Sequence, residues 1–280
     1  MNHPPSASPP PHVVGLWTYP VKSLGGVRVD TATVGPLGLD RDRRWMLVDV
    51  DGRAVTQREC PAMVRLAVAL DADDGVTVTA PDGDRLRLAP SLPDAPRRPV
   101  RLFDDVVEAA AGDPAADAWF TTHLGAPVRV VHLPDDAVRP VDPRYAAPGD
   151  RTAFADGYPV LVAGQASLDD LNARLAAAGA PPVGIERFRP NVLVAGTAAY
   201  AEDGWRTLAA GDVVLALVKP CARCVVTTVD PAHGVAAGPE PLRTLAAYRR
   251  VGSKVLFAHN AVVRAPGTLR VGAAVRTTTS

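Results

Sequence analysis

The chain has 280 residues, 47% of them hydrophobic, so it can bury a sizeable core and fits one large domain or two closely packed smaller ones. Lys plus Arg and Asp plus Glu stand at 30 each, which removes any whole-chain electrostatic case for nucleic acid or a membrane surface and makes any basic site a local one. Cys60, Cys221 and Cys224 are too few for a disulfide framework and odd in number, so reduced thiols are expected.

The first twelve residues contain five prolines, no apolar run and no Lys or Arg. They read as a disordered tail, 1–12, and not as a signal peptide or anchor, so a soluble, cytoplasmic protein is expected. From Val13 onward short β-rich runs alternate with turn signals, at 13–19, 27–34, 45–50, 76–79, 85–88 and 100–103. Asp51-Gly52 and Asp82-Gly83 sit between such runs as hairpin turns do. An antiparallel barrel or sandwich follows.

Asp113 is placed to cap a helix with Pro114 in its first turn, and Gly125 offers the stop. This helix marks a boundary. Beyond it, 128–132, 159–162, 191–195, 213–219, 225–229 and 261–263 are again β-rich. Two further helices are indicated: one capped by Ser167 with Leu168, Leu171 and Leu175 on one face, and one after Pro241 carrying Leu242, Leu245 and Tyr248. The fold class expected is therefore mainly β with a few helices: a β-barrel-like domain over 13–125 packed on a second β-barrel domain over 126–280.

The chemistry concentrates in Lys219-Pro220-Cys221-Ala222-Arg223-Cys224-Val225-Val226-Thr227-Thr228-Val229-Asp230-Pro231, where two thiols are spaced as CxxC. A zinc site needs about four ligands, but the remaining cysteine is distant and the six histidines show no paired spacing. A thioredoxin-like couple would open a helix after a strand, whereas a β-branched run follows here. Two buried structural cysteines remain as an ordinary reading. Arg223 weighs against it, since a guanidinium beside a thiol favours the thiolate, the form that binds soft metals or attacks electrophiles.

This string resembles the signature of MOSC-domain molybdoenzymes, the family that takes in mitochondrial amidoxime-reducing components and bacterial hydroxylaminopurine reductases. Other pieces of the family pattern occur in order. Tyr19-Pro20-Val21-Lys22-Ser23 is similar to its first cofactor-binding segment, Gly38-Leu39-Asp40-Arg41-Asp42-Arg43-Arg44-Trp45 to the next, and Phe188-Arg189-Pro190-Asn191 to a third. The resemblance implies a MOSC N-terminal β-barrel followed by a MOSC domain, with a molybdenum-molybdopterin cofactor between them. It makes Cys224 the metal ligand, Lys22, Ser23, Arg43 and Arg189 contacts to the anionic tail, and Asn191 and Arg223 further cofactor-binding residues. Taken singly, Lys22, Arg43 and Arg189 read as solvated surface charge. Together they suit a phosphate, which arginine grips bidentately and lysine as a point charge.

Gly157 and Tyr158 fall where the family places cofactor-touching backbone. Asp156 is a candidate catalytic group that orients water or a neighbour, or else an ordinary turn aspartate. The family's Phe-Gly-Gln-Asn or Phe-Gly-Gln-Tyr segment is Phe257-Ala258-His259-Asn260 here, so only Asn260 carries over, and His259 is a pocket acid or a structural histidine.

The activity implied is reduction of an N-hydroxylated small molecule, with metal and pterin supplying the redox chemistry. No cysteine follows Cys224 and no dinucleotide fingerprint is present, so a separate flavin or iron-sulfur reductase is the expected electron donor. A non-catalytic cofactor carrier, and sulfur transfer through a Cys224 persulfide, are the competing functions. No pyridoxal-phosphate domain of the kind cofactor sulfurases use is recognisable.

Overall fold

The computed structural model describes residues 9–279. Of the expected tail, 1–8 lie outside the described residues, and His12 already opens the first strand, His12–Thr18. The chain is mostly β, with three α-helices among the described residues.

The largest sheet has nine strands, and its main path runs Val27–Val29, His12–Thr18, Val192–Ala195, Val160–Gly164, Lys254–Ala265, Val213–Arg223, Trp205–Ala210, Arg276–Thr279. Its neighbours are antiparallel except Val160–Gly164 and Val192–Ala195, which run parallel and are linked through the helix Gln165–Ala177, the crossover such a pair requires. Leu168, Leu171 and Leu175 fall on one helix face and are buried against the sheet with Phe188 and Phe257. The opposite face is buried by Val13, Leu16, Val162, Val194 and Leu215.

A four-stranded sheet orders Trp45–Val48, Arg129–His132, Asp105–Ala111 and Arg97–Leu102. A three-stranded one carries Ala67–Leu70, Val76–Thr79 and Arg85–Leu88, the last two joined through Asp82-Gly83, with Gly83 at φ 93° as the turn demands. The helix Pro114–Leu124 forms as read: the Asp113 carboxylate accepts from Ala115 N, and Gly125 ends it in the left-handed conformation. Phe120 on this helix is fully buried among Val76, Val78 and Leu88.

Strand pairing crosses residue 125 in both directions. His12–Thr18 lies inside the sheet built by the second half, Arg129–His132 completes a sheet of the first, and Gly267–Arg270 pairs with Thr31–Gly35. The sheets are open paths and none closes on itself in hydrogen bonds among the described residues.

Four local readings are corrected. The stretch 27–34 is two strands, Val27–Val29 and Thr31–Gly35, that pair with different sheets. Ser167 caps nothing; the helix starts at Gln165, and the Ser167 hydroxyl donates to the buried Glu202 carboxylate instead. The strand read as 213–219 continues to Arg223. The β-branched run after Cys224 is not a strand but a 3-10 turn, Val225–Thr228, because the Thr227 and Thr228 hydroxyls donate back to Cys224 O and Val225 O and close it locally.

Candidate functional site

All eleven candidate residues, Lys22, Ser23, Arg43, Asp156, Gly157, Tyr158, Arg189, Asn191, Arg223, Cys224 and Asn260, line one cleft. Thr56, Gln57, Arg58, Leu161, Phe188 and Cys221 share its wall. Cys224 sits immediately ahead of the 3-10 turn, in extended backbone at φ −124° and ψ −178°.

The cleft concentrates positive charge on a chain with none to spare overall. Lys22, Arg43, Arg58, Arg189 and Arg223 line it against one lining carboxylate, Asp156. Three of the lining positions hold left-handed backbone that costs a non-glycine residue energy, Ser23 at φ 70°, Arg43 at 51° and Arg189 at 56°. Loop strain at the residues that aim cations inward is the pattern expected of a ligand site.

Each cation is held by the protein. Lys22 is 5% exposed and donates to Phe154 O and Asp156 Oδ1; burial pulls its pKa down, and Asp156 opposes that. Arg43 pairs with the buried Asp42 carboxylate and donates to Arg189 O. Arg189 Nη1 donates to Leu24 O at 2.7 Å, while its Nη2 is buried without a partner. Burial, then the neighbouring Arg43 charge, pushes the Arg189 pKa down to about 10. Arg223 Nη2 donates to Phe188 O, and its Nε is likewise buried and unpartnered.

Desolvated guanidinium nitrogens with no acceptor, beside a second cation, make a site that fits a bound anion. That fits the phosphate-tailed cofactor implied by the resemblance, and the soft thiol of Cys224 fits its metal. Among the described residues no group of three or more His, Cys, Asp or Glu could hold a metal ion, so a metal held by Cys224 would need its other ligands from a cofactor or solvent.

The expected pairing of Arg223 with Cys224 is corrected. Side chains two apart on a strand share a face, so Arg223 reaches Cys221 Sγ at 3.0 Å. The guanidinium on Cys224 Sγ is that of Arg58, at 3.5 Å. Arg58 also faces Asp156 Oδ2 at 3.6 Å and lies 4.9 Å from the Phe103 ring centroid. Arg58 is not legible in the sequence because it comes from a polar turn far from any motif. The one signal available was the Thr56-x-x-Glu59 box, where the Glu59 carboxylate accepts from both Thr56 N and Thr56 Oγ1 and sets the turn that presents Gln57 and Arg58.

Asp156 carries an exposed carboxylate that, against desolvation, Lys22, then Arg58 and Arg43, hold well below the usual carboxylate range. Asn191 spends both side-chain N–H donors inside the protein, on Trp17 O and Asp42 Oδ1, and accepts from Leu161 N, so it braces the Arg43 loop. Gly157 has open space where a Cβ would stand. The Tyr158 hydroxyl has no protein partner, and burial, then Asp142, pushes its pKa up to about 12. His259 points away from the cleft, its Nε2 3.1 Å from Asp203 Oδ1 and its ring 5% exposed, which places it with the structural histidines.

The MOSC N-terminal beta barrel domain description matches residues 11–127 and the MOSC domain description residues 149–276. The chain is similar to mitochondrial amidoxime-reducing component 1 of Homo sapiens, 37% identical with 93% of this chain and 81% of that one covered. It is similar to component 1 of Mus musculus at 35% identity, with 93% and 80% covered, and to component 2 of Bos taurus at 36% identity, with 92% and 80% covered. No described helix is long and apolar enough to cross a membrane. Matched along both halves and more than a third identical to these relatives over nearly its whole length, the chain belongs to the MOSC family.

Proposed function

We propose that this protein is a molybdenum-cofactor-dependent oxidoreductase that reduces N-hydroxylated small molecules, with Cys224 its ligand to the metal. The observation that carries the reading is the meeting of Cys224 with five cations in one cleft, two of them presenting buried, unpartnered guanidinium nitrogens. Relatives named for amidoxime reduction supply the reaction class.

When bound, the molybdenum-pterin group supplies the two-electron couple for breaking the N–O bond. The net reaction takes an N-hydroxy compound, two electrons and two protons to the amine or amidine and water. Arg43 and Arg189 would hold the anionic tail from two loops, with Lys22 and Ser23 on a third lining the same cleft. Arg58 holds the Cys224 sulfur and Asp156 in place. Asp156 stays ionised at neutral pH and therefore acts as an acceptor, orienting the hydroxyl hydrogen of a substrate or a water. It is not a proton donor. The Tyr158 phenol keeps its proton in the same range and supplies a donor from the same wall.

Electrons come from a separate flavin or iron-sulfur reductase, and the protein works in the cytoplasm. The test is amine formation from an aryl amidoxime and a hydroxylaminopurine by the cofactor-loaded protein. Turnover with reduced viologen and none with NADPH alone is the expected result. Turnover with NADPH alone refutes the external donor. No turnover by a fully loaded, reduced protein across several N-hydroxylated compounds overturns the enzyme reading in favour of a cofactor carrier.

A further inference from the structure

Tyr19 lies outside the cleft lining, and nothing in the catalytic proposal uses it. Its ring is 1% exposed, and both anion-gripping arginines rest on it: the guanidinium carbon of Arg43 is 4.2 Å from the ring centroid and that of Arg189 is 4.3 Å. Two other rings also carry two cations each, Phe103 with Lys22 and Arg58 and Tyr145 with Arg144 and Lys219. Among the described residues only the Tyr19 pair has both partners in left-handed backbone, at φ 51° and 56°.

The ring is tied to both arginine-bearing loops. Tyr19 N donates to Asp42 Oδ1 at 2.8 Å, Tyr19 O accepts from Arg43 N at 2.9 Å, and Tyr19 Oη donates to Pro190 O at 3.0 Å. Its edge is fixed from outside as well. A Cβ on Gly26 would stand within van der Waals overlap of the Tyr19 ring carbons, so this glycine exists to let the ring in.

Two like charges drawn together out of water repel, and Arg43 already depresses Arg189. An aromatic face offers each of them an attraction that does not consume a hydrogen-bond donor, and Arg189 Nη2 is left without a partner in the protein. The buried Asp42 carboxylate already offsets part of this repulsion at Arg43, and the ring adds an attraction to both guanidinium groups without adding further negative charge.

We propose that Tyr19 is a positioning residue whose ring holds Arg43 and Arg189 as one preformed anion clamp for a phosphate group. This rests on the anion-site half of the proposed function and adds the element that orders it. The clamp loses its geometry, and not its charge, when the ring is removed.

The test compares Tyr19→Phe, which keeps the ring and loses only the bond to Pro190 O, with Tyr19→Leu and Tyr19→Met, which lose the ring; Met is included so that one of the two folds. Inorganic phosphate binding to the cofactor-free full chain is measured by calorimetry, alongside pterin content of each protein as purified. Wild type and Tyr19→Phe bind alike within about threefold, and the ringless variants bind about tenfold or more weakly, the scale of two desolvated cation–π contacts. The side-chain Nε–H signals of Arg43 and Arg189 show ring-current shifts in wild type and Tyr19→Phe that vanish in the ringless variants, a readout that loss of stability alone does not produce. In an Arg189→Ala background Tyr19→Leu weakens binding by less than it does in wild type, because Arg43 is then the one guanidinium of the pair left for the ring to hold.

A folded ringless variant that binds phosphate as wild type does overturns the proposal, as does a Tyr19→Phe variant that falls as far as Tyr19→Leu. Wild type that binds no phosphate sinks the clamp. Wild type that binds phosphate yet carries and accepts no molybdopterin leaves the clamp standing and sinks the cofactor reading.

Discussion

Replacing Arg189 by methionine separates a ligand-gripping cation from a structural one. In the cofactor-free chain its guanidinium makes one hydrogen bond, to Leu24 O, keeps a buried Nη2 with no partner and faces Arg43. Methionine keeps the apolar stem over Tyr19, orphans one carbonyl and removes a desolvated, repelled charge. Losing the bond costs about 1–3 kcal/mol and losing the buried charge returns a similar amount, so the two largely offset. At roughly 2–4 °C per kcal/mol for a chain of this size, melting of the cofactor-free protein moves by only a few degrees in either direction. Anion binding has no such offset. A charge-assisted contact is worth about 1.5–3 kcal/mol, so affinity for the cofactor falls roughly 10- to 150-fold. Pterin released by oxidation and molybdenum by mass spectrometry, read beside thermal melts of the cofactor-free forms, check both halves. Full occupancy with a large drop in melting temperature refutes the reasoning and makes Arg189 a structural residue.

Three more expectations rest on other atoms. Cys224→Ser loses molybdenum while Cys221→Ser keeps most of it, since a hydroxyl is a poor replacement for thiolate and Cys221 faces Arg223 on the strand; equal loss in both points to a shared site. Gly157→Ala leaves the melting temperature unchanged, because its Cβ meets nothing within 4 Å in the protein, but lowers cofactor content if the cofactor backs onto that wall; unchanged content moves the cofactor away from Gly157. Burial, then Arg44, lowers the His132 pKa to about 4, so the unfolded chain, near 6.5, takes up its proton first as pH falls. Its contribution, about 3 kcal/mol, is thus fully present above pH 6.5 and is lost between pH 6.5 and 4. His132→Gln should melt with a flatter acid profile over that window, and an unchanged slope shows that another group carries the titration.

How much of this was legible follows from the range over which each signal acts. Val76–Thr79, Arg85–Leu88 and the helix Pro114–Leu124 are set by local turn and cap chemistry, and all three stand where the pattern put them. In the run after Cys224 valine and threonine favour a strand on average, whereas the threonine hydroxyls bond back along the chain and close a turn. Asp105–Ala111, inside its sheet, and Ala67–Leu70, at the edge of its own, are alanine-rich and so carry little strand signal in the sequence. At the site, motif residues were nameable, but their partners were not. That Arg58 attends Cys224 across 166 positions, or that Asp42 ties Tyr19, Arg43 and Asn191 together, is decided by tertiary placement alone.

The crossing of strands explains how a fold tolerates so many cations facing one another. Arg43 and Lys22 come from one half, Arg189 and Arg223 from the other, and their repulsion pushes the halves apart. Opposing it, His12–Thr18 is hydrogen-bonded inside the far sheet, Arg129–His132 inside the near one, and Gly267–Arg270 returns to Thr31–Gly35. The halves cannot separate without breaking strand pairs in each, so the cleft cannot open as two free domains would. Occupancy of the cleft then stabilises the whole chain, by about 4 kcal/mol at a ligand concentration a thousand times Kd. Trp119, packed in the first half, and Trp205, packed in the second, should report one shared melting transition that shifts upward together on cofactor loading. Single-tryptophan variants keeping one or the other make the comparison by fluorescence. Two separate transitions, or a shift confined to one tryptophan, would show that the interleaved strands do not couple the halves.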